Sequence, residues 1–165
     1  MSRAEAALKA GDLALAAVLA EDILRVDANH LAALETYAKA LWSAGRYEQV
    51  VAATDKLLSL NPYEPGYHAL RGAALHALGR YGEACESYDR SSELPHCAEA
   101  LRELQTWQAR LLLDLLQTDP VFKVSYRQNP RAACEARGFR FVEHRVSEAW
   151  HPSESERNWS YTRPS

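Results

Sequence analysis

The sequence predicts an all-α protein in which antiparallel helical hairpins stack as a short solenoid, closed by a C-terminal capping helix and followed by a small, partly irregular extension. Three observations predict it. An internal similarity at an offset of 34 residues carries Ala44-Gly45-Arg46-Tyr47-Glu48 onto Leu78-Gly79-Arg80-Tyr81-Gly82, Leu41 onto Leu75, Ala53 onto Ser87 and Leu60 onto Leu94, and a period of that length marks a repeated supersecondary unit. Within each unit the apolar residues recur at spacings of three and four, the period of a helix with one buried face. A hairpin of two such helices cannot bury its own stripe, so neighbouring units must share a core.

Taken in order, the first unit covers about residues 1–30. Gly11 stands where Gly45 and Gly79 stand later, with Leu13 in the tyrosine position and Val26 in place of Leu60 and Leu94. The second unit, 31–64, opens with an amphipathic helix from His30 to Ala44 that ends at Gly45, a residue able to take the left-handed conformation that closes a helix. Its second helix returns antiparallel with Val50, Val51, Leu57, Leu58 and Leu60 as the buried face, and Asn61-Pro62 stops it. The third unit, 65–98, turns at Gly79. Residues 98–117 then read as one long helix with Leu101, Leu104, Leu111, Leu112, Leu115 and Leu116 on its apolar side. That helix covers the end of the array, which would otherwise present a hydrophobic face to water. The array with its cap thus occupies 1–117, an extension 118–149, and a tail expected to be disordered 150–165.

The 34-residue period, the small-Gly-x-Tyr turn, the alanine-rich packing face and the terminal Leu-Asn-Pro resemble the tetratricopeptide repeat (TPR) family over about residues 1–95. The unit 31–64 carries Leu34, Tyr37, Ala38, Leu41, Gly45, Tyr47 and Pro62 of that pattern; the unit 65–98 carries Gly72, Leu75, Gly79, Tyr81, Ala84 and Tyr88. The resemblance implies a protein-binding module whose first helices line a concave wall that receives a peptide. By position, Glu35, Lys39, Trp42, Leu70, Ala73, His76, Glu103, Trp107 and Arg110 fall on that wall, with Trp42, His76 and Arg110 spaced by the repeat. Two tryptophans and both signs of charge suit an amphipathic peptide. The same tryptophans would equally fill space between hairpins, and Tyr47 and Tyr81 are assigned to packing. Members of the family that clamp a C-terminal carboxylate carry Lys and Asn where this chain has Glu35 and Ala69, so that clamp is not expected.

Composition bounds the remaining function classes. Of 165 residues, 47% are hydrophobic and 25% charged, with a net charge of −3; the first two figures suit a globular chain, and the third offers no footprint for nucleic acid. Neither a signal-type start nor an apolar run of bilayer length appears, which predicts a cytoplasmic protein without a membrane partner. The three cysteines, Cys85, Cys97 and Cys134, lie far apart, and none of the six histidines pairs at i, i+4. No metal site, cofactor or catalytic residue is therefore expected. A Cys134–His144 nucleophile and base pair lacks an orienting group, and a lone helical cysteine is ordinarily a small hydrophobe.

Beyond the capping helix the balance shifts, with 8 Lys and Arg against 5 acids from Pro120 to Ser165. Asp119-Pro120 and Asn129-Pro130 each supply a helix N-cap followed by proline at the first helical position. Gly138 ends the second of these helices, and 139–146 has the composition of a short edge strand. The stretch 115–139, with Asp119, Pro120, Phe122, Lys123 and Pro130, is similar to leader regions of peptide natural-product precursors related to nitrile hydratase or the Nif-eleven group. That similarity implies a handle for a modifying enzyme, with Trp159 and Tyr161 in the tail as the segment presented. The plainer reading of the same residues is a small extension packed on the last hairpin.

The sequence thus points first to a non-enzymatic adaptor that binds a protein or peptide in the concave groove. Behind it stand a leader-like docking protein in peptide modification and a secretion chaperone of the three-hairpin type, against which the extension argues. The open edge of the shortened first hairpin leaves self-association open.

Overall fold

The computed structural model describes residues 2–140, and among them the backbone is helical with no strand. The helices are α1 (Arg3–Lys9), α2 (Leu13–Val26), α3 (Leu31–Ser43), α4 (Tyr47–Leu60), α5 (Pro65–Ala77), α6 (Tyr81–Arg90), α7 (Pro95–Thr118), α8 (Pro120–Gln128) and α9 (Pro130–Ala136). Each packs on the next in chain order, so the pairs α1–α2, α3–α4 and α5–α6 form three antiparallel hairpins and α7 closes the third.

One turn recurs and sets the geometry. At Gly11, Gly45 and Gly79 φ is +80°, +71° and +74°, a conformation open to glycine and strained for other residues. The Gly45 amide donates to the Trp42 carbonyl and the Arg46 amide to the Leu41 carbonyl, both at 3.0 Å. Gly79 and Arg80 repeat this onto His76 and Leu75, and Gly11 and Asp12 onto Leu8 and Ala7. This paired closure satisfies the last carbonyls of each first helix and aims the chain back along it. Gly138, at φ +76°, ends α9 in the same way.

The shared core lies between the hairpins and centres on Leu34, Leu41, Val50, Leu57, Leu75, Cys85, Leu101 and Leu104. Alanines at 38, 74 and 84, all fully buried, let the helices approach. Gly72 goes further, because a Cβ there would lie 2.8 Å from the Tyr88 ring.

The structure adjusts several sequence expectations. Leu60 and Val26, expected on the buried face, are 39% and 91% exposed; both sit on the last turn of their helices, past the reach of the neighbouring first helix. The capping helix starts three residues earlier than expected, because Pro95 occupies its first turn. Its Leu101 and Leu104 are buried, whereas Leu111, Leu112, Leu115 and Leu116 are half-buried, since that end runs beyond the hairpins to meet α8. Phe139 and Arg140 form no strand; the rest of the expected strand, 141–146, and the tail 150–165 lie outside the described residues.

Candidate functional site

The repeated glycine turn places the side chains just before it and just after it against each other. Trp42, at the end of α3, meets Tyr47, the first residue of α4, with ring centroids 5.2 Å apart. One repeat later His76 meets Tyr81 at 5.7 Å, nearly edge to face. Tyr81 then reaches across to Trp107 of α7 at 4.8 Å, and His76 also touches Tyr88 at 6.3 Å. Tyr47 and Tyr81 are half-buried against the core, as assigned, but their rings also carry the tryptophans. Trp42 and Trp107 remain 36% and 44% exposed. They are held by a neighbouring ring on one side and open to solvent on the other.

The other wall residues divide. Lys39, Glu103 and Arg110 are exposed, whereas Ala73 is half-buried and Leu70 is half-buried against the core, so Leu70 serves packing as much as surface. Glu35 is half-buried and accepts a hydrogen bond from the Tyr67 hydroxyl at 2.5 Å, joining the first helices of two adjacent hairpins. Burial and the Glu35 carboxylate raise the Tyr67 phenol well above its ordinary value, so it stays a donor. Tyr67 carried no motif that would have marked it.

A second polar cluster, also absent from the sequence reading, sits where the extension returns to the array. Gln108 of α7 is fully buried. Its amide donates to Cys85 Sγ at 3.0 Å, and its Oε1 accepts from the Arg140 backbone N–H at 3.0 Å. The Arg140 guanidinium pairs with Glu86 at 2.9 Å. Beneath this crossing lies Gly82, where a Cβ would be 2.7 Å from the Gly138 carbonyl. The available signal was the repeat itself, because Gln108 replaces Ala74 and Ala40 of the earlier first helices at the 34-residue offset.

Among the described residues the three thiols are not activated. Cys85, Cys97 and Cys134 are buried free thiols; burial pushes Cys85 up to about 11 and raises Cys134, which keeps both protonated. His144 lies outside the described residues, and among those described no group of three or more His, Cys, Asp or Glu is placed to hold a metal.

Most of the leader-like residues within the described part have structural work. Asp119 caps α8 by accepting from the Phe122 amide at 2.9 Å and pairs with Arg137, the C-cap of α9, at 2.6 Å. Pro120 and Pro130 occupy first-turn positions, Phe122 is buried, and Lys123 is exposed. Trp159 and Tyr161 lie outside the described residues. The Phe122 amide first, and then Arg137, hold the Asp119 carboxyl below its ordinary value. A carboxyl lowered in the folded state stabilises above its unfolded pKa, and that contribution is lost as pH falls through the folded value. Asp119→Ala should therefore speed hydrogen exchange at the start of α8 at pH 7, and the difference from the parent should begin to shrink as pH falls below about 3.9 and vanish only below the lowered folded value. A difference that persists unchanged there would show that the carboxylate charge is not what holds the junction.

Residues 4–96 match the family described as the bacterial transcriptional activator domain. Among solved structures the chain is similar to a thermophilic TPR protein of Thermus thermophilus, at 21% identity and a TM-score of 0.53, covering 82% of this chain and 75% of that one. No curated protein matches the chain. The structural likeness shows the fold, a TPR-type helical array.

Proposed function

The chain belongs to the bacterial transcriptional activator domain family, and from that premise we propose that its hairpin array is the protein-binding part of a bacterial transcription regulator, a non-enzymatic adaptor working in the cytoplasm. It takes a peptide or helical segment of a partner along the wall formed by Trp42, His76, Trp107 and Arg110. The observation that carries this reading is the repeated ring pairing, Trp42 on Tyr47 and His76 on Tyr81 with Trp107 beyond, which holds aromatic surface half-exposed at corresponding places on successive units. Lys39 and Arg110 with Glu103 beside these rings supply charges of both signs for the rim. Protein contact is favoured over DNA contact, because counterion release from phosphates needs clustered cations and here 19 Lys and Arg are outnumbered by 22 acids.

Fusion to a heterologous DNA-binding domain and a bacterial promoter reporter provides the test. The parent fusion should raise transcription. Trp42→Ala with Arg110→Ala should reduce the output about tenfold, the scale of one or two contact residues at an interface, with unchanged helicity. Full output from the folded double variant would overturn the wall assignment. A silent parent fusion would overturn the transcriptional role itself.

A further inference from the structure

Where the extension returns to the third hairpin, a short piece of main chain lies across α6 and α7. The Gly138 amide donates to the Glu135 carbonyl and the Phe139 amide to the Cys134 carbonyl, a closure that ends α9 and sends the chain over α6. There the Arg140 backbone N–H donates to Gln108 Oε1 at 3.0 Å, Phe139 is 4% exposed, and the Arg140 guanidinium meets Glu86 at 2.9 Å.

The residues beneath it are shaped to receive a chain rather than a helix. At the Gln108 position the earlier first helices carry Ala74 and Ala40, and all three residues are fully buried. A carboxamide in such a place costs free energy unless it is bonded at both ends. Its nitrogen has Cys85 Sγ at 3.0 Å, a weak acceptor, and its oxygen has the arriving main chain. At the Gly82 position the earlier second helices carry Glu48 and Ala14. Glycine removes the methyl that would stand 2.7 Å from the Gly138 carbonyl oxygen, so α6 admits a backbone at close approach. Glu86, one turn further along α6, supplies the charge that takes a cation.

The crossing is separable from its surroundings. α9 packs on α8 and α8 on α7, so residues 138–140 can lift while those helices stay together. The Arg140 and Glu86 side chains are 46% and 51% exposed, and an ion pair of that kind holds weakly. A short stretch held in this way opens locally before the hairpins unfold.

We propose that the α6–α7 crossing is a second peptide site, filled in cis by Gly138-Phe139-Arg140 and open in trans to a partner segment of the same chemistry. That segment is extended and presents a small residue, an aromatic one and a cation in order. The tethered occupant acts at an effective concentration on the order of millimolar, so the strap sets a threshold that a partner's local concentration must exceed. The site is separate from the aromatic wall and does not rest on it.

The test is nuclear magnetic resonance of the full chain titrated with the capped peptide Ala-Gly-Phe-Arg-Ala, read at the Gly82 amide and the Gln108 side-chain amide. Phe139→Ser with Arg140→Glu empties the site in cis and should leave helicity unchanged. In that variant the peptide should shift both signals with a dissociation constant on the order of 1 mM. In the parent it should bind at least about tenfold more weakly, because the site is free for only a fraction of the time. Arg140→Glu alone, which alters only the half-exposed ion pair, should give an intermediate gain, and it keeps the comparison available if Phe139→Ser loosens α9. Adding Gln108→Ala to the emptied chain should abolish the saturable shift at Gly82, whereas adding Trp42→Ala should leave it unchanged. An emptied chain that gives no shift, equal binding by emptied chain and parent, or binding that survives Gln108→Ala would each overturn the proposal and leave the crossing as packing alone. Concentration-dependent dimers of the parent that disappear in the emptied chain would overturn it in favour of the same segment from a second copy.

Discussion

Leu75→Ala is expected to destabilise the protein by about 3 kcal/mol, the usual cost of emptying a leucine site in a core that relaxes only partly. Leu75 is fully buried on α5, the first helix of the third hairpin, which packs on both α4 and α6. In an array whose stability is a sum of units and of the interfaces between them, a cavity at that place weakens one unit and one interface together. The melting temperature should fall by about 10 °C for a domain of this size. Leu60→Ala provides the contrast within the same array. Leu60 is 39% exposed at the last turn of α4, so its loss should cost under about 1 kcal/mol. Equal losses at the two positions in a chemical denaturation series would show that burial does not follow the hairpin packing described.

The hairpins were legible because their signals are local and repeated. Gly45 and Gly79 each sit beside a tyrosine at the same offset, and the positive φ at both is what that offset encodes. Asp119-Pro120 and Asn129-Pro130 were legible for a related reason: each cap and its proline act within a single turn. Exposure at the ends of helices was less legible. Leu60 and Val26 continue the apolar spacing of α4 and α2, but spacing does not say where the covering helix stops. The aromatic wall was half legible, because position placed Trp42, His76 and Trp107 on one side while the sequence did not distinguish a core ring from a surface ring. The structure gives each of them a neighbouring ring and an open side. That the extension packs on the last hairpin was legible as its plainer reading, but the particular contacts were not, since Gln108 and Arg140 are 32 residues apart and no motif joins them. Yet both Gln108 and Gly82 depart from their repeat counterparts, Gln108 from Ala74 and Ala40 and Gly82 from Glu48 and Ala14. A repeat is thus a template against which such departures mark added contacts.

Gly82→Ala tests that reading through the sign of its effect. Gly82 lies in the first turn of α6, and in an open helix replacing glycine by alanine stabilises by about 0.5–1 kcal/mol. Here the added methyl would stand 2.7 Å from the Gly138 carbonyl oxygen and 2.9 Å from Arg140 Cγ, so the crossing backbone has to lift. Lifting it breaks the Arg140 N–H bond to Gln108 and draws the guanidinium from Glu86. It also leaves the buried Gln108 oxygen in search of another partner, at about 1–3 kcal/mol. The variant should accordingly be less stable than the parent by about 1–2 kcal/mol, the alanine gain offsetting part of that loss. Its Arg140 amide should exchange faster, and proteolysis at Arg137 and Arg140 should accelerate while the hairpin core keeps its protection. Gln108→Ala should give the same loosening at Arg140, and the two changes combined should cost less than their sum, because either alone frees the same segment. A stabilised Gly82→Ala protein with an unchanged Arg140 amide would mean that the extension does not dock on α6, and Gly82 would then be an ordinary helix glycine.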